Sequence, residues 1–167
     1  MNVTLITGGA RSGKSLHAER VAQMAEGQPC YIFTADIHDD EMADRMAAHQ
    51  ARRGADWQEH HAPRDLVAGL AACTGQGMRL VDWLTLWLSN LMYAGADIDT
   101  ETDRLVAALS ATAHNIVLVT SEVGLGIVPE NALARRYRDS PSLLNQRIGH
   151  IATRVDLVVA GQVLRIK

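Results

Sequence analysis

Gly8-Gly9-Ala10-Arg11-Ser12-Gly13-Lys14-Ser15 fills every fixed position of the pattern G-x-x-x-x-G-K-[ST]. These residue types are what a polyphosphate tail requires. Gly8 and Gly13 let the backbone curl around an anion without a Cβ clash. The N–H groups of the loop then point inward, and the helix that follows adds its positive end. Lys14 reaches the β- and γ-phosphates as a point charge. The Ser15 hydroxyl suits Mg²⁺, which stays octahedral and keeps several of its waters.

A second group of side chains is placed to work with this loop. Asp82 ends the run Arg79-Leu80-Val81, and a carboxylate at the C-terminal tip of a parallel strand reaches the ligand crevice. It is the leading candidate to hold the metal with Ser15. Glu122 occupies a similar place after Ile116 to Ser121, so both acids stay open, each also able simply to cap a following helix. His49 has Gln50, Arg52 and Arg53 as neighbours. It reads as a helix-surface histidine, or as a neutral imidazole able to attack phosphorus, with Arg52 and Arg53 neutralising the charge that develops. The residues alone do not choose between these.

Other residues read as structural. His60 and His61 are adjacent, point opposite ways in a strand and make a poor metal pair. Trp83, Trp87 and Leu91 share a helix face and read as core or as a subunit contact. Gly124-Leu125-Gly126 does not continue into a dinucleotide fingerprint. Cys30 and Cys73 form no C-x-x-C pair, which argues against zinc, and they read as ordinary buried thiols in a reducing cytoplasm.

The elements that must position these groups alternate. Strands are expected at Val3–Thr7, Cys30–Thr34, Arg79–Val81 and Ile116–Thr120. Helices are expected from Lys14, with Leu16, Val21 and Met24 on its apolar face, and over Asp39–Arg53, whose acidic start and basic end suit the helix dipole. Further helices are expected over Pro63–Cys73, Leu84–Tyr93, Thr100–His114 and Ser142–Thr153. Leu157–Ala160 and Val163–Ile166 fit a terminal antiparallel hairpin. The pattern is α/β with a mainly parallel sheet, and the length of 167 residues suits one domain over 1–167.

Bulk properties narrow the partners. The formal net charge of −3 lacks the basic surplus of a dedicated nucleic-acid binder, so no nucleic acid is expected. No stretch is long and apolar enough for a membrane span, and no basic segment precedes the first strand. The expected location is cytoplasmic.

Taken together, the residues resemble the bifunctional adenosylcobinamide kinase / adenosylcobinamide-phosphate guanylyltransferases of cobalamin biosynthesis. The resemblance runs from Thr7–Ser15 and Ala18-Glu19 through Asp40-Glu41-Met42, Arg45 and His49 to Trp57, Asp82, Leu84-Thr85 and Asn90-Leu91. Its most specific segment is Glu122-Val123-Gly124 with Gly126-Ile127-Val128-Pro129-Glu130-Asn131, followed by Arg138-Asp139, Asn145-Gln146, Gly161 and Lys167. It implies a RecA-like P-loop NTPase fold, helices on both sheet faces, and a homotrimer. It implies two reactions. ATP or GTP phosphorylates adenosylcobinamide; GTP then gives GMP to the product, yielding adenosylcobinamide-GDP through a GMP–histidine intermediate. The motif places that histidine at His49. The guanine-nucleotide contacts would fall on Gly8, Gly9, Ala10, Arg11, Ser12, Gly13, Lys14 and Ser15, on Phe33, Thr34 and Ala35, on Gln50, Ala51, Arg52 and Arg53, near His61, and on Asp82. Mg²⁺ would sit on Ser15 and Asp82, and the corrinoid would be the second substrate. Three positions depart from the pattern: Phe33 where a small residue is common, His61 where an acid is familiar, and Ser142 for a usual glycine. The alternative enzyme is a plain P-loop small-molecule kinase without a covalent step. A GTP-dependent switch is disfavoured by the absence of an N-K-x-D motif, and a RecA-type DNA ATPase by the mild acidity.

Overall fold

In the computed structural model the described residues are 3–36, 47, 50–51 and 53–167. The most apolar segments form the middle of a sheet. The strands are β1 (Val3–Thr7), β2 (Cys30–Phe33), β3 (Gln58–His61), β4 (Arg79–Asp82), β5 (Ile116–Val119), β6 (Arg154–Val159) and β7 (Gln162–Arg165). Their order is β3-β2-β4-β5-β1-β6-β7. Every neighbouring pair is parallel except β6 with β7. β4 and β5 are buried along their whole length, as strands covered on both faces must be.

One face of the sheet carries α1 (Lys14–Gln23). The other carries α2 (Leu66–Ala72), α3 (Leu84–Tyr93), α4 (Ile98–Ala111) and α5 (Ala132–Ile151) over the larger core. This is the P-loop, RecA-like arrangement expected, with helices on both faces and a terminal antiparallel pair. The hairpin turn falls on Ala160-Gly161, both at positive φ (52° and 76°), which matches the twist of the flanking strands.

Several sequence expectations are corrected. α1 does not bury Leu16 or Met24, which are 42% and 84% exposed. It buries Lys14, Ala18, Glu19 and Ala22, because small alanines let the helix lie close to the sheet. α4 begins at Ile98, and its cap is Asp97, which accepts from the N–H groups of Asp99 and Thr100. α5 starts ten residues earlier than Ser142, at Ala132, and runs through Pro141, with Asn131 as its cap. β3 was not anticipated: Gln-Glu-His-His has no apolar run, and it becomes a strand as the parallel edge partner of β2. The expected helix over Asp39–Arg53 lies mostly outside the described residues; Ala47, Gln50, Ala51 and Arg53 are helical.

The cysteines are also corrected. Cys30 and Cys73 are joined in a disulfide across 43 residues of sequence. No spacing rule predicts this pairing. It arises because the start of β2 and the end of α2 meet in the core.

A buried charge ties the phosphate-loop helix to the terminal hairpin. Asp156 on β6 is 0% exposed. It pairs with His17 of α1 at 2.8 Å and with Arg154 at 2.7 Å, and Arg165 lies 3.7 Å away. Burial alone would raise its pKa, but hydrogen bonds from Arg154 and His17 outweigh this and hold it below the ordinary carboxylate value. The stability this charge contributes is complete above the unfolded carboxylate pKa. It is lost as pH falls through the lower folded value. Asp156→Ala should cost about 2 kcal/mol at neutral pH, short of a fully buried pair because the arginines can turn to water. Calorimetry should show the melting temperature fall by about 4–8 °C. An unchanged melting temperature would mean the tether carries no stability.

Candidate active site

All the strand ends that point at the phosphate loop are C-terminal ends, where ligands bind in open parallel sheets. β1 delivers the loop at Gly8, and β4 delivers Asp82. β2 delivers Thr34 and Ala35, and β3 delivers His61. Backbone bonds from Thr120 to Ile6 (2.9 Å) and from Glu122 to Gly8 (3.0 Å) carry β5 into the same rim.

The loop has the shape that an anion needs. Gly8 sits at φ 153°, and a Cβ there would come within 2.2 Å of the Val158 carbonyl oxygen. Only glycine lets the loop lie this close to the terminal hairpin. The Gly161 N–H donates to the Ser12 carbonyl at 3.0 Å, which fixes the loop from the other side. Gly13 is the N-cap of α1 in the left-handed region at φ 100° and supplies no side-chain cap. The N-cap residue itself therefore puts no side-chain oxygen on the first-turn donors of α1, the arrangement in which helix N-termini take anions. Lys14 is 8% exposed, and its Nζ donates to the Gly9 carbonyl at 2.6 Å, so the ammonium already lies across the loop.

Asp82 and Ser15 come together as the sequence anticipates. The Ser15 hydroxyl donates to Asp82 Oδ1 at 3.3 Å across 67 residues of sequence. Asp82 is 4% exposed, and the Tyr31 hydroxyl donates to its Oδ2 at 2.9 Å. Burial first, and then the Asp82 charge, push the Tyr31 phenol far above its ordinary pKa, so it stays a donor. The hydroxyl–carboxylate pair is a set of hard oxygen donors beside a phosphate loop, and its chemistry fits Mg²⁺. Glu122 is placed differently. Its Oε1 accepts from the Gly124 N–H at 2.6 Å, so this carboxylate closes a turn. The geometry therefore places Asp82 beside Ser15, and not Glu122.

A flat patch begins beside Asp82, where Phe33 is its partner in the β2–β4 ladder. Phe33 and His61 stack at 4.8 Å between ring centroids and 17° between planes. His61 Nε2 lies 3.0 Å from the Ala35 carbonyl and 3.1 Å from Asp36. Two of the three residues that depart from the family pattern thus pack on each other. Next to them, Arg53 lies 3.5 Å over the Tyr31 ring and pairs with Glu59 at 2.7 Å, while Gln50 donates to Glu59 at 3.2 Å. Arg53 Nε and Nη1 are buried without a hydrogen-bond partner among the described residues. Donors left this way in a core are costly unless a ligand meets them. His49 and Arg52 lie outside the described residues. Ala51 is helical and exposed.

Sequence reasoning missed the supports of this rim. Thr34 Oγ1 donates to the Trp83 carbonyl at 2.9 Å, and the Trp83 N–H donates back to it at 3.2 Å across the cis Asp82–Trp83 peptide. Asn90 donates to the carbonyls of Thr34 (2.7 Å) and Pro63 (2.9 Å), joining the ends of β2 and β3 to α3. The signal available was the amide of Asn90 in a mostly apolar helix, since an amide that is partly buried needs partners.

The chain matches the family described as cobinamide kinase / cobinamide phosphate guanyltransferase over residues 4–166. It is 43% identical to the bifunctional adenosylcobalamin biosynthesis protein CobP of Pseudomonas aeruginosa, covering 98% of this chain and 96% of that protein. It is 41% identical to the bifunctional adenosylcobalamin biosynthesis protein CobU of Salmonella typhimurium, covering 98% of each. The protein of that name from Escherichia coli is 37% identical, again over 98% of each. Among solved structures, the flagellar accessory protein FlaH of Methanocaldococcus jannaschii shares the fold with a TM-score of 0.54 at 12% identity, covering 99% of this chain and 78% of that one. Near-complete coverage by the family and its relatives joins the loop, the Ser15–Asp82 pair and the Glu122–Asn131 segment in one assignment: the chain belongs to the cobinamide kinase / cobinamide phosphate guanyltransferase family.

Proposed function

We propose that this protein carries out two successive transfers in cobalamin biosynthesis, within one domain over 1–167. In the first, ATP or GTP phosphorylates the aminopropanol hydroxyl of adenosylcobinamide. In the second, GTP gives GMP to the resulting phosphate, forming adenosylcobinamide-GDP and releasing pyrophosphate. The observation that carries this reading is the pairing of Ser15 with the buried Asp82 beside a complete phosphate loop, in a chain of this family.

Each group has a role in the proposal. The N–H groups of Gly8 to Ser15 hold the phosphates, and Lys14 leaves the Gly9 carbonyl to meet the β- and γ-oxygens. Phosphoryl transfer asks of a protein mainly such positioning and charge stabilisation. Ser15 and Asp82 would hold Mg²⁺, which neutralises charge on the phosphates. Phe33, Thr34, Ala35 and His61 form the platform for the base or ribose. The buried donors of Arg53, with Gln50, Ala51 and Arg52 beside it, serve the α-phosphate. The His49 imidazole attacks the α-phosphorus, a P–N bond forms, and the bond to the β-phosphate oxygen breaks as pyrophosphate leaves. The phosphate oxygen of the corrinoid then attacks the same phosphorus, and the P–N bond breaks to restore the free imidazole.

Assembly and location belong to the proposal as well. A homotrimer would cover large apolar side chains that this chain leaves in water, among them Tyr93, Leu125 and Ile127, which are 86%, 89% and 96% exposed. No helix among the described residues is long and apolar enough to cross a membrane, and a cytoplasmic site would supply both nucleotides. Nucleic acid has no part in the reading.

Two substitutions test it. Lys14→Ala should lower both activities by about 100-fold or more, the scale for losing a preorganised charge at the reacting phosphate; unchanged rates would mean that the loop is not the site. His49→Ala should abolish GMP transfer, and with it the acid-labile, base-stable label left by GTP marked at the α-phosphate, while the kinase rate persists. Retained GMP transfer would refute the covalent route. An unlabelled wild-type chain with full kinase activity would favour the plain kinase.

A further inference from the structure

Away from the nucleotide rim, two sulfurs and an imidazole converge. Cys30 Sγ, Cys73 Sγ and one ring nitrogen of His60 all lie within 4.8 Å of one another. The topology explains this. Cys30 pairs with Gln58 and Ile32 pairs with His60 in the parallel β2–β3 ladder, so Cys30 and His60 lie on the same sheet face. α2 crosses that face closely at Gly69, where an added Cβ would meet the Ala62 side chain at 2.6 Å, and ends at Cys73. His61, the neighbour of His60, points the other way, to Phe33.

We infer that the reduced form of this cluster is a metal site for one thiophilic divalent cation of the zinc class. Two thiolates and an imidazole are the ligand set such cations select, and three protein ligands leave a fourth position open. The disulfide is the oxidised, metal-free state of the same site. In a reducing compartment a disulfide is usually transient, so the thiol form is the one that meets the cation. A dithiol reductant supplies two electrons and two protons to split the sulfur–sulfur bond and becomes a disulfide itself. Binding releases the two thiol protons to solvent and forms two metal–sulfur bonds and one metal–nitrogen bond.

The surroundings favour this chemistry. Cys73 Sγ lies 3.6 Å from the Gly69 carbonyl oxygen, which can accept from the thiol once the disulfide is split. Arg79 is paired with Cys30 across β2–β4 and donates to the Cys73 carbonyl at 3.1 Å. A positive charge beside the thiols favours their thiolates. With two thiolates the bound cation is neutralised, so Arg79 does not oppose it. An entry path exists: a surface cleft lined by His60, Ala62, Pro63, Asp65, Ala68 and Gly69 reaches the imidazole. Cys30 opens β2 three residues before Phe33, about 10 Å along the strand, and His60 lies on the sheet face opposite the Phe33–His61 stack, so the cluster is separate from the proposed Mg²⁺ position.

The test uses Co²⁺ as a spectroscopic stand-in for Zn²⁺. The full chain is reduced with dithiothreitol, freed of it under argon, and titrated with Co²⁺. The expected result is one Co²⁺ per chain, with a sulfur-to-cobalt charge-transfer band that Zn²⁺ abolishes, and no band in the oxidised chain. His60→Ala, which keeps both thiols, should weaken Co²⁺ binding by at least about tenfold, and Cys73→Ser should remove most of the charge-transfer intensity. A reduced wild-type chain without the band would overturn the site, and this needs no variant to fold. A band of equal affinity in His60→Ala would overturn the three-ligand assignment.

Discussion

A bare loop of backbone N–H groups can hold a polyphosphate only if something forces it to stay open, and much of this structure supplies that force. The loop is pinned on one side by β1 and on the other by the terminal hairpin, through Gly161 to Ser12 and through the contact of Gly8 with the Val158 carbonyl. Its helix is anchored by the buried Asp156. The electrostatic reward comes from pointing several dipoles at one place with no reorganisation left to do. The hairpin, which carries no chemistry of its own, is therefore part of the site.

The second constraint is the buried carboxylate of Asp82. A charge this deep needs partners, and it has Ser15 and Tyr31. Tyr31 in turn stacks under Arg53, which reaches Glu59. Ser15, Asp82, Tyr31, Arg53 and Glu59 are thus joined by contacts that run from the phosphate loop and β4 through β2 to β3. The cost of burying Asp82 ties the two halves of the rim to each other.

Where the sequence was legible, local physics decided the outcome. The phosphate loop, β1, β4 with Asp82 at its tip, β5 and α3 follow from apolar runs, glycines and strand-end acids, and the structure places them as read. Where it was not legible, the deciding contact lay elsewhere in the chain. β3 is polar and becomes a strand only because β2 offers an unpaired edge. The buried face of α1 is set by how closely alanines approach the sheet, so the large residues Leu16 and Met24 misled. The helix expected from Thr100 starts sooner, because the Asp97 side chain caps it. Cys30 and Cys73 carried no spacing signal, and only the docking of α2 onto β2 joins them. The family resemblance added what no periodicity holds: the role assigned to His49, whose neighbours give it no distinction.

The central claim is that the N–H groups at the start of α1 grip the nucleotide's phosphates. Backbone amide resonances followed during titration with a non-hydrolysable GTP analogue and Mg²⁺ test this most directly. Gly13, Lys14 and Ser15 should show the largest downfield shifts and saturate with one nucleotide per chain. Saturable binding that moves other amides and leaves those three in place would contradict it.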